Sequence, residues 1–141
     1  MNRAIEIRNG KLAEHLVHTL VGGIISRSKG YDILTRTGRR VEVRSRNKFT
    51  DGKIPRATVN ESKMNFSDSI CFIQFNTDTE QSIAVAIMIH TKYLNPLYIE
   101  YRQVNGVAHI PLYKVMSHPK SMDITTLLTA TDIKIKAKAS L

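Results

Sequence analysis

The sequence has no tryptophan, a single cysteine, four prolines and few acids. Each shortage excludes something. With Cys71 alone, no disulfide can close within the chain and no cysteine-based zinc site can be assembled from it. Its neighbours Ile70, Phe72 and Ile73 are apolar, so the thiol is expected in a buried strand rather than as a nucleophile. The opening run Met1-Asn2-Arg3-Ala4-Ile5-Glu6 lacks the apolar core of a secretion signal. The longest near-apolar stretch, 83–89, is far shorter than the ~20 residues a membrane-spanning helix needs. A cytoplasmic protein without a membrane segment is therefore expected. No Walker A or Rossmann fingerprint occurs, so nucleotide hydrolysis and dinucleotide chemistry have no support. His90, His109 and His118 lack ligand spacing, and no nucleophile elbow surrounds Ser26, Ser28 or Ser45.

What the chain has is positive charge, and the charge is local. Its 141 residues carry 21 Lys+Arg against 12 Asp+Glu, for a net +9. Residues 27–63 hold eleven of those bases and four of the acids. The remaining segments are nearly balanced. A concentrated excess points to a polyanionic partner, whereas an ordinary solvated face needs no such clustering. The length corresponds to one domain, at about 100–200 residues per domain, with an ordinary 42% of hydrophobic residues.

Periodicity predicts a helix over 10–21, with Leu12, Ala13, Leu16, Val17, Leu20 and Val21 on one side and Glu14 at the border of that stripe. Gly22-Gly23 ends it. Three strands follow, over 24–28, 31–36 and 39–46, the last two joined by a tight turn at Thr37-Gly38. A loop over 47–55 leads to a second predicted helix over 57–67. Residues 69–75 and 82–89 are strongly apolar and β-prone, as central strands are. Beyond them, strands over 98–102 and 107–113 are expected to form a hairpin through Asn105-Gly106, and 123–130 a short helix. His15 and His18 are expected as an exposed pair on the first helix. Tyr93, Tyr98, Tyr101 and Tyr113 are expected to pack the hairpin or a subunit interface, or to stack on bases. The pattern predicts a single mixed α/β (α+β) domain over 1–141, with helices flanking a central sheet.

Within it, Glu42 and Arg44 lie two apart on the third strand and so project from one face. Asp32 lies on the second strand, and the hairpin between the two can bring its carboxylate to Glu42. Paired carboxylates suit a hard divalent cation such as Mg²⁺ or Mn²⁺, which can polarise a phosphoryl oxygen and activate a bound water.

These residues carry a resemblance. Gly30-Tyr31-Asp32-Ile33-Leu34 followed by Gly38-Arg39-Arg40-Val41-Glu42-Val43-Arg44-Ser45-Arg46 is similar to the signature of the PD-(D/E)XK nuclease superfamily, an Asp on one strand and Glu-x-Lys on the next. The order α-β-β-β-α-β matches its restriction-endonuclease-like core over about 10–90. Residues 91–141 form an extension outside it. Leu12-Ala13-Glu14 resembles the first-helix glutamate that many members use, and residues 67–73 resemble the strand leaving the second helix. The resemblance implies a metal-dependent DNA endonuclease of the phage, mobile-element or junction-resolving type. Asp32, Glu42 and Glu14 would then be metal ligands. Arg44 stands where the family has lysine; it can hold phosphate but stays protonated and cannot act as a base. Lys63 on the second helix is the leading candidate for a migrated lysine, with Lys48 behind it.

Arg39, Arg40, Arg46, Lys48, Lys53 and Arg56 would track the backbone of DNA, RNA remaining open. Cutting both strands calls for a homodimer. The alternative is a degenerate module that binds nucleic acid without cutting. A third reading, a ribosomal or RNA-packaging protein, rests on charge alone and expects Asp32 and Glu42 to lie apart.

Overall fold

The computed structural model describes residues 3–26, 30–47, 55–76 and 82–139. The first helix, α1 (Arg3–Val21), begins seven residues before its predicted start and runs through Gly10. A glycine inside a helix costs only about 0.5–1 kcal/mol relative to alanine, which the turns on either side outweigh. Gly22 and Gly23, both at positive φ, end the helix, and a ring nitrogen of His18 bonds to the Gly23 carbonyl at 2.8 Å. His18 is thus half-buried in the cap, not paired with His15 in solvent.

The three expected strands follow in shorter form: β1 (Ile24–Ile25), β2 (Ile33–Leu34) and β3 (Arg40–Asn47), consecutively antiparallel. The turn between β2 and β3 closes through Thr35 N–H to Arg39 O and Gly38 N–H to Thr35 O, with Gly38 at φ +85°. The predicted helix over 57–67 is divided. Its first part is β4 (Arg56–Asn60), where Ala57 and Val59 alternate inward, and only Glu61–Phe66 is helical, as α2. Alternation of small and β-branched residues favours the strand, and the Asn60 side chain caps α2 by accepting from Lys63 N–H at 2.9 Å.

Strands β5 (Ser69–Phe75) and β6 (Ile83–His90) form the predicted central pair, every residue of β5 being buried. The expected C-terminal hairpin does not form. Residues 98–101 belong instead to α3 (Thr91–Tyr101), which tolerates Pro96, and Arg102 makes only an isolated bridge to Ala108. Leu94 and Tyr98, four residues apart, share its core side. Gly106, at φ +82°, does make the turn, but it connects a helix to β7 (Val107–Pro111), whose partner is the distant β4. The short helix α4 (Leu112–Met116), strand β8 (Met122–Asp123) and helix α5 (Thr125–Ala139) complete the chain. The terminal helix runs well past the predicted 130. Asp123 caps its start through Thr125 N–H, and the Asp132–Lys136 pair braces it at 3.0 Å.

The protein is therefore mixed α+β. A six-stranded mixed sheet in the order β1-β2-β3-β5-β6-β8 is flanked by helices, and β4-β7 forms a separate ribbon. Among the described residues only β3 and β5 are parallel, with Glu42 opposite Ile70 and Arg44 opposite Phe72. One core joins α1 and α5 to Val41, Val43, Cys71 and Ile73; the other joins Ile70, Phe72, Ile87 and Ile89 to α3, α4 and the ribbon. Alternation therefore turns Glu42, Arg44 and Arg46 toward the ribbon side. No helix among the described residues is long and apolar enough to cross a membrane.

Gly30 is buried against Phe66, and Ser67 donates to its carbonyl at 2.6 Å. A side chain at 30 collides with the Phe66 Cβ. Gly30→Ala is expected to cost about 1–3 kcal/mol in urea unfolding; unchanged stability would contradict this packing.

Candidate active site

Asp32 and Glu42 are brought together by the β2–β3 hairpin. The Asp32 N–H donates to Val41 O at 2.9 Å, and the Asp32 carboxylate accepts from Val43 N–H at 2.9 Å. That second bond holds the carboxylate against β3 on the face that carries Glu42. Gly30, locked under Ser67 and Phe66, fixes the segment that leads into it. Glu42 occupies a central strand and is only 2% exposed. Its Oε1 is buried without a hydrogen bond.

Two cations attend it. Lys63 Nζ lies 3.4 Å from Oε1, and Arg44 Nη1 lies 3.8 Å from Oε2. Lys63 arrives from α2, whose first turn is fixed by the Asn60 cap and whose Met64 is buried in the core. Burial pushes the Glu42 carboxyl up to about 8. Asp32 adds to the shift, both by accepting a hydrogen bond from the protonated form and by charge repulsion, while Lys63 and Arg44 oppose it.

Arg44, which faces Glu42, also lines a narrow cleft of about 30 Å³. Arg46 and Arg56 line it too, above apolar walls that include Phe72 and Leu112. Arg46 donates to Thr58 Oγ1 at 2.8 Å, and that hydroxyl lies 3.1 Å from His109 Nδ1. Burial, Arg56 and Arg46 hold His109 below the ordinary imidazole value. The cleft is thus a cationic wall beside a buried acid pair, suited to phosphate oxygens.

The remaining expected residues are dispersed. Glu14 is half-buried on α1. Among the described residues no three His, Cys, Asp or Glu side chains form a group able to hold a metal ion, so Glu14 does not join Asp32 and Glu42 in one. Arg40 is committed to Asp68, which accepts from its backbone N–H at 2.8 Å and from its guanidinium at 3.3 and 3.2 Å. The Arg40 guanidinium holds the Asp68 carboxyl below its usual range. Its part in the fold is to tie β3 to the start of β5. Arg39 is exposed and lines a different hollow from Arg46 and Arg56. Lys48 and Lys53 lie outside the described residues. Thr58, His109 and Gln74 line or adjoin the cleft without having been singled out for it; Thr58 was hidden by the helix expected over 57–67. Cys71 is buried as expected, its thiol pushed up to about 12 by burial.

No protein-family model matches the chain, and no curated protein matches it in sequence.

Glu42 predicts a pH dependence. Its folded value lies above the unfolded one, so its contribution to stability is fullest below about 4.5 and is lost as pH rises toward about 8. The Glu42→Gln protein lacks that loss. Its stability relative to wild type should therefore increase between pH 5 and 8 in urea unfolding with EDTA. His90 and His109, both lowered, titrate in the two proteins alike, so the difference isolates Glu42. A pH-independent difference would contradict the buried acid pair.

Proposed function

We propose that the protein is a metal-dependent endodeoxyribonuclease with a restriction-endonuclease-like core, of the PD-(D/E)XK type. The observation that carries the reading is the buried Glu42 oxygen without a hydrogen bond, set beside a second carboxylate and two cations. A buried carboxylate whose proton affinity is raised by a neighbouring one suits a shared hard cation, and Mg²⁺ takes one or two carboxylates together with water and phosphate oxygens. Asp32 and Glu42 would hold it. When bound, it would supply charge neutralisation at the phosphate and a more acidic water.

The protein's own groups account for the rest. Arg44 donates to a non-bridging oxygen of the scissile phosphate and offsets the charge that grows there. Lys63, beside Glu42, is placed to orient the attacking water. That water forms a new bond to phosphorus as the bond to the leaving sugar oxygen breaks; the proton it loses passes to solvent, and solvent water protonates the leaving oxygen. Arg46 and Arg56 hold neighbouring phosphates in the cleft. Lys63 thus supplies the ammonium that Arg44 cannot replace at its own position, which supports a migrated lysine. Cutting both strands of a duplex calls for two such sites, most simply in a homodimer.

The two cations near Glu42 also favour the alternative, because they can compensate its charge without a metal. The protein would then bind nucleic acid without cutting it. The charge-only packaging reading expects the acids to lie apart, whereas Asp32 and Glu42 interact directly.

Plasmid, a four-way junction and single strands incubated with Mg²⁺, Mn²⁺ or EDTA separate these readings. Metal-dependent cutting is expected to fall at least about a hundredfold in Asp32→Ala, Glu42→Ala and Lys63→Ala. Salt-sensitive binding with no cutting in any metal would overturn the nuclease and leave the binding module.

A further inference from the structure

The basic residues do not form one surface. Ser69 and Met88 line a hollow of about 280 Å³ with His90, on the face of the sheet opposite Glu42. Arg39 comes to it from the turn before β3, Lys92 and Tyr93 from the first turn of α3, and Lys120 from the segment between α4 and β8. Both lysines place an ammonium over the Tyr93 ring, at 4.9 and 5.8 Å from its centroid. No Asp or Glu among the described residues lines the hollow. Asp68, which acts on His90 electrostatically, is engaged by Arg40.

Three cations drawn from positions 39, 92 and 120 around one hollow, two of them over one aromatic ring, come from three separate parts of the chain rather than from a single helix or strand. They repel one another, and a polyanion relieves that repulsion. The hollow also receives the N-terminus of α3, an 11-residue helix, which adds positive potential.

We infer that this hollow is a second nucleic-acid contact, one that takes a single-stranded segment. Arg39, Lys92 and Lys120 bind its phosphates, and the Tyr93 ring meets a base once the ammonium groups turn to the backbone. The choice of nucleic acid as the polyanion rests on the nuclease reading. The choice of a single strand rests on placement. Ser69 is one register step from Ile70, the partner of Glu42, but projects from the other face. A strand that touches both sites must pass around the end of the sheet where β3 and β5 begin. A flexible single strand can do this, whereas a duplex with a persistence length of about 150 base pairs must bend sharply.

Fluorescence anisotropy in EDTA, with labelled single-stranded and duplex oligonucleotides over a salt series, tests the inference. The double variant Lys92→Gln/Lys120→Gln should lower the salt slope for single strands by roughly 1.4, two contacts at about 0.7 each. It should leave duplex binding and the cutting rate at saturating substrate unchanged. Lys134→Gln/Lys138→Gln removes the same charge from exposed positions on α5 and should leave the slope as in wild type. Equal effects of the two pairs, no effect of the first, or an equal loss on duplex would overturn the inference. A wild-type protein that binds but never cuts, with the slope change intact, removes the nuclease reading and keeps this site. Cutting with no slope change does the reverse.

Discussion

A carboxylate sealed into a central β-strand governs the site. Glu42 is 2% exposed, and an ionised carboxylate in such a place is costly unless charge or hydrogen bonds compensate it. The surrounding elements supply the compensation. The parallel β3–β5 pairing buries the strand. Asn60 caps a helix of only six residues and so sets Lys63 at 3.4 Å. The β2–β3 hairpin, held by the Asp32–Val43 bond, adds a second acid where a third cation would be more comfortable. An acid pair retained against that repulsion is what the proposed metal would relieve. The Arg40–Asp68 bridge serves this arrangement indirectly, by tying the start of β3 to the residue before β5.

The parts of this that local pattern could show are those set by short-range geometry. Glu42 and Arg44 share a face because strands alternate. Asp32 reaches Glu42 because a tight turn at Gly38 joins their strands. Both follow from a few adjacent residues. Lys63 was legible only through the resemblance, and it meets Glu42 even though the helix expected over 57–67 is mostly something else. Ala57 and Val59 fit a strand as well as a helix, and the deciding partner, β7, lies some fifty residues away. The same long-range pairing undid the expected C-terminal hairpin, where Asn105-Gly106 marked a turn correctly but could not say what it joined. Glu14 lies on the helix that the resemblance points to, and among the described residues no group of three His, Cys, Asp or Glu side chains joins it to the acid pair.

The basic window likewise divides in three dimensions. Neighbours in sequence, Arg39 before β3 and Arg40 at its start, go to different places, one to an open hollow and one to Asp68. Arg44, Arg46 and Arg56 gather in the cleft beside the acid pair. Residues beyond 90, outside the basic window of the sequence, nevertheless complete both regions, through His109 and Leu112 on one side and Lys92 and Lys120 on the other. The C-terminal part is therefore built into the same charged architecture as the core.

In the proposed nuclease, Asp32 and Glu42 share a divalent cation. A crystal soaked in Mn²⁺ and measured at the manganese edge tests it most directly. An anomalous peak is expected within coordination distance, about 2.0–2.6 Å, of an oxygen from each carboxylate, with Lys63 no longer Glu42's principal partner. No peak at millimolar Mn²⁺, with Glu42 still held by Lys63 and Arg44, would contradict it.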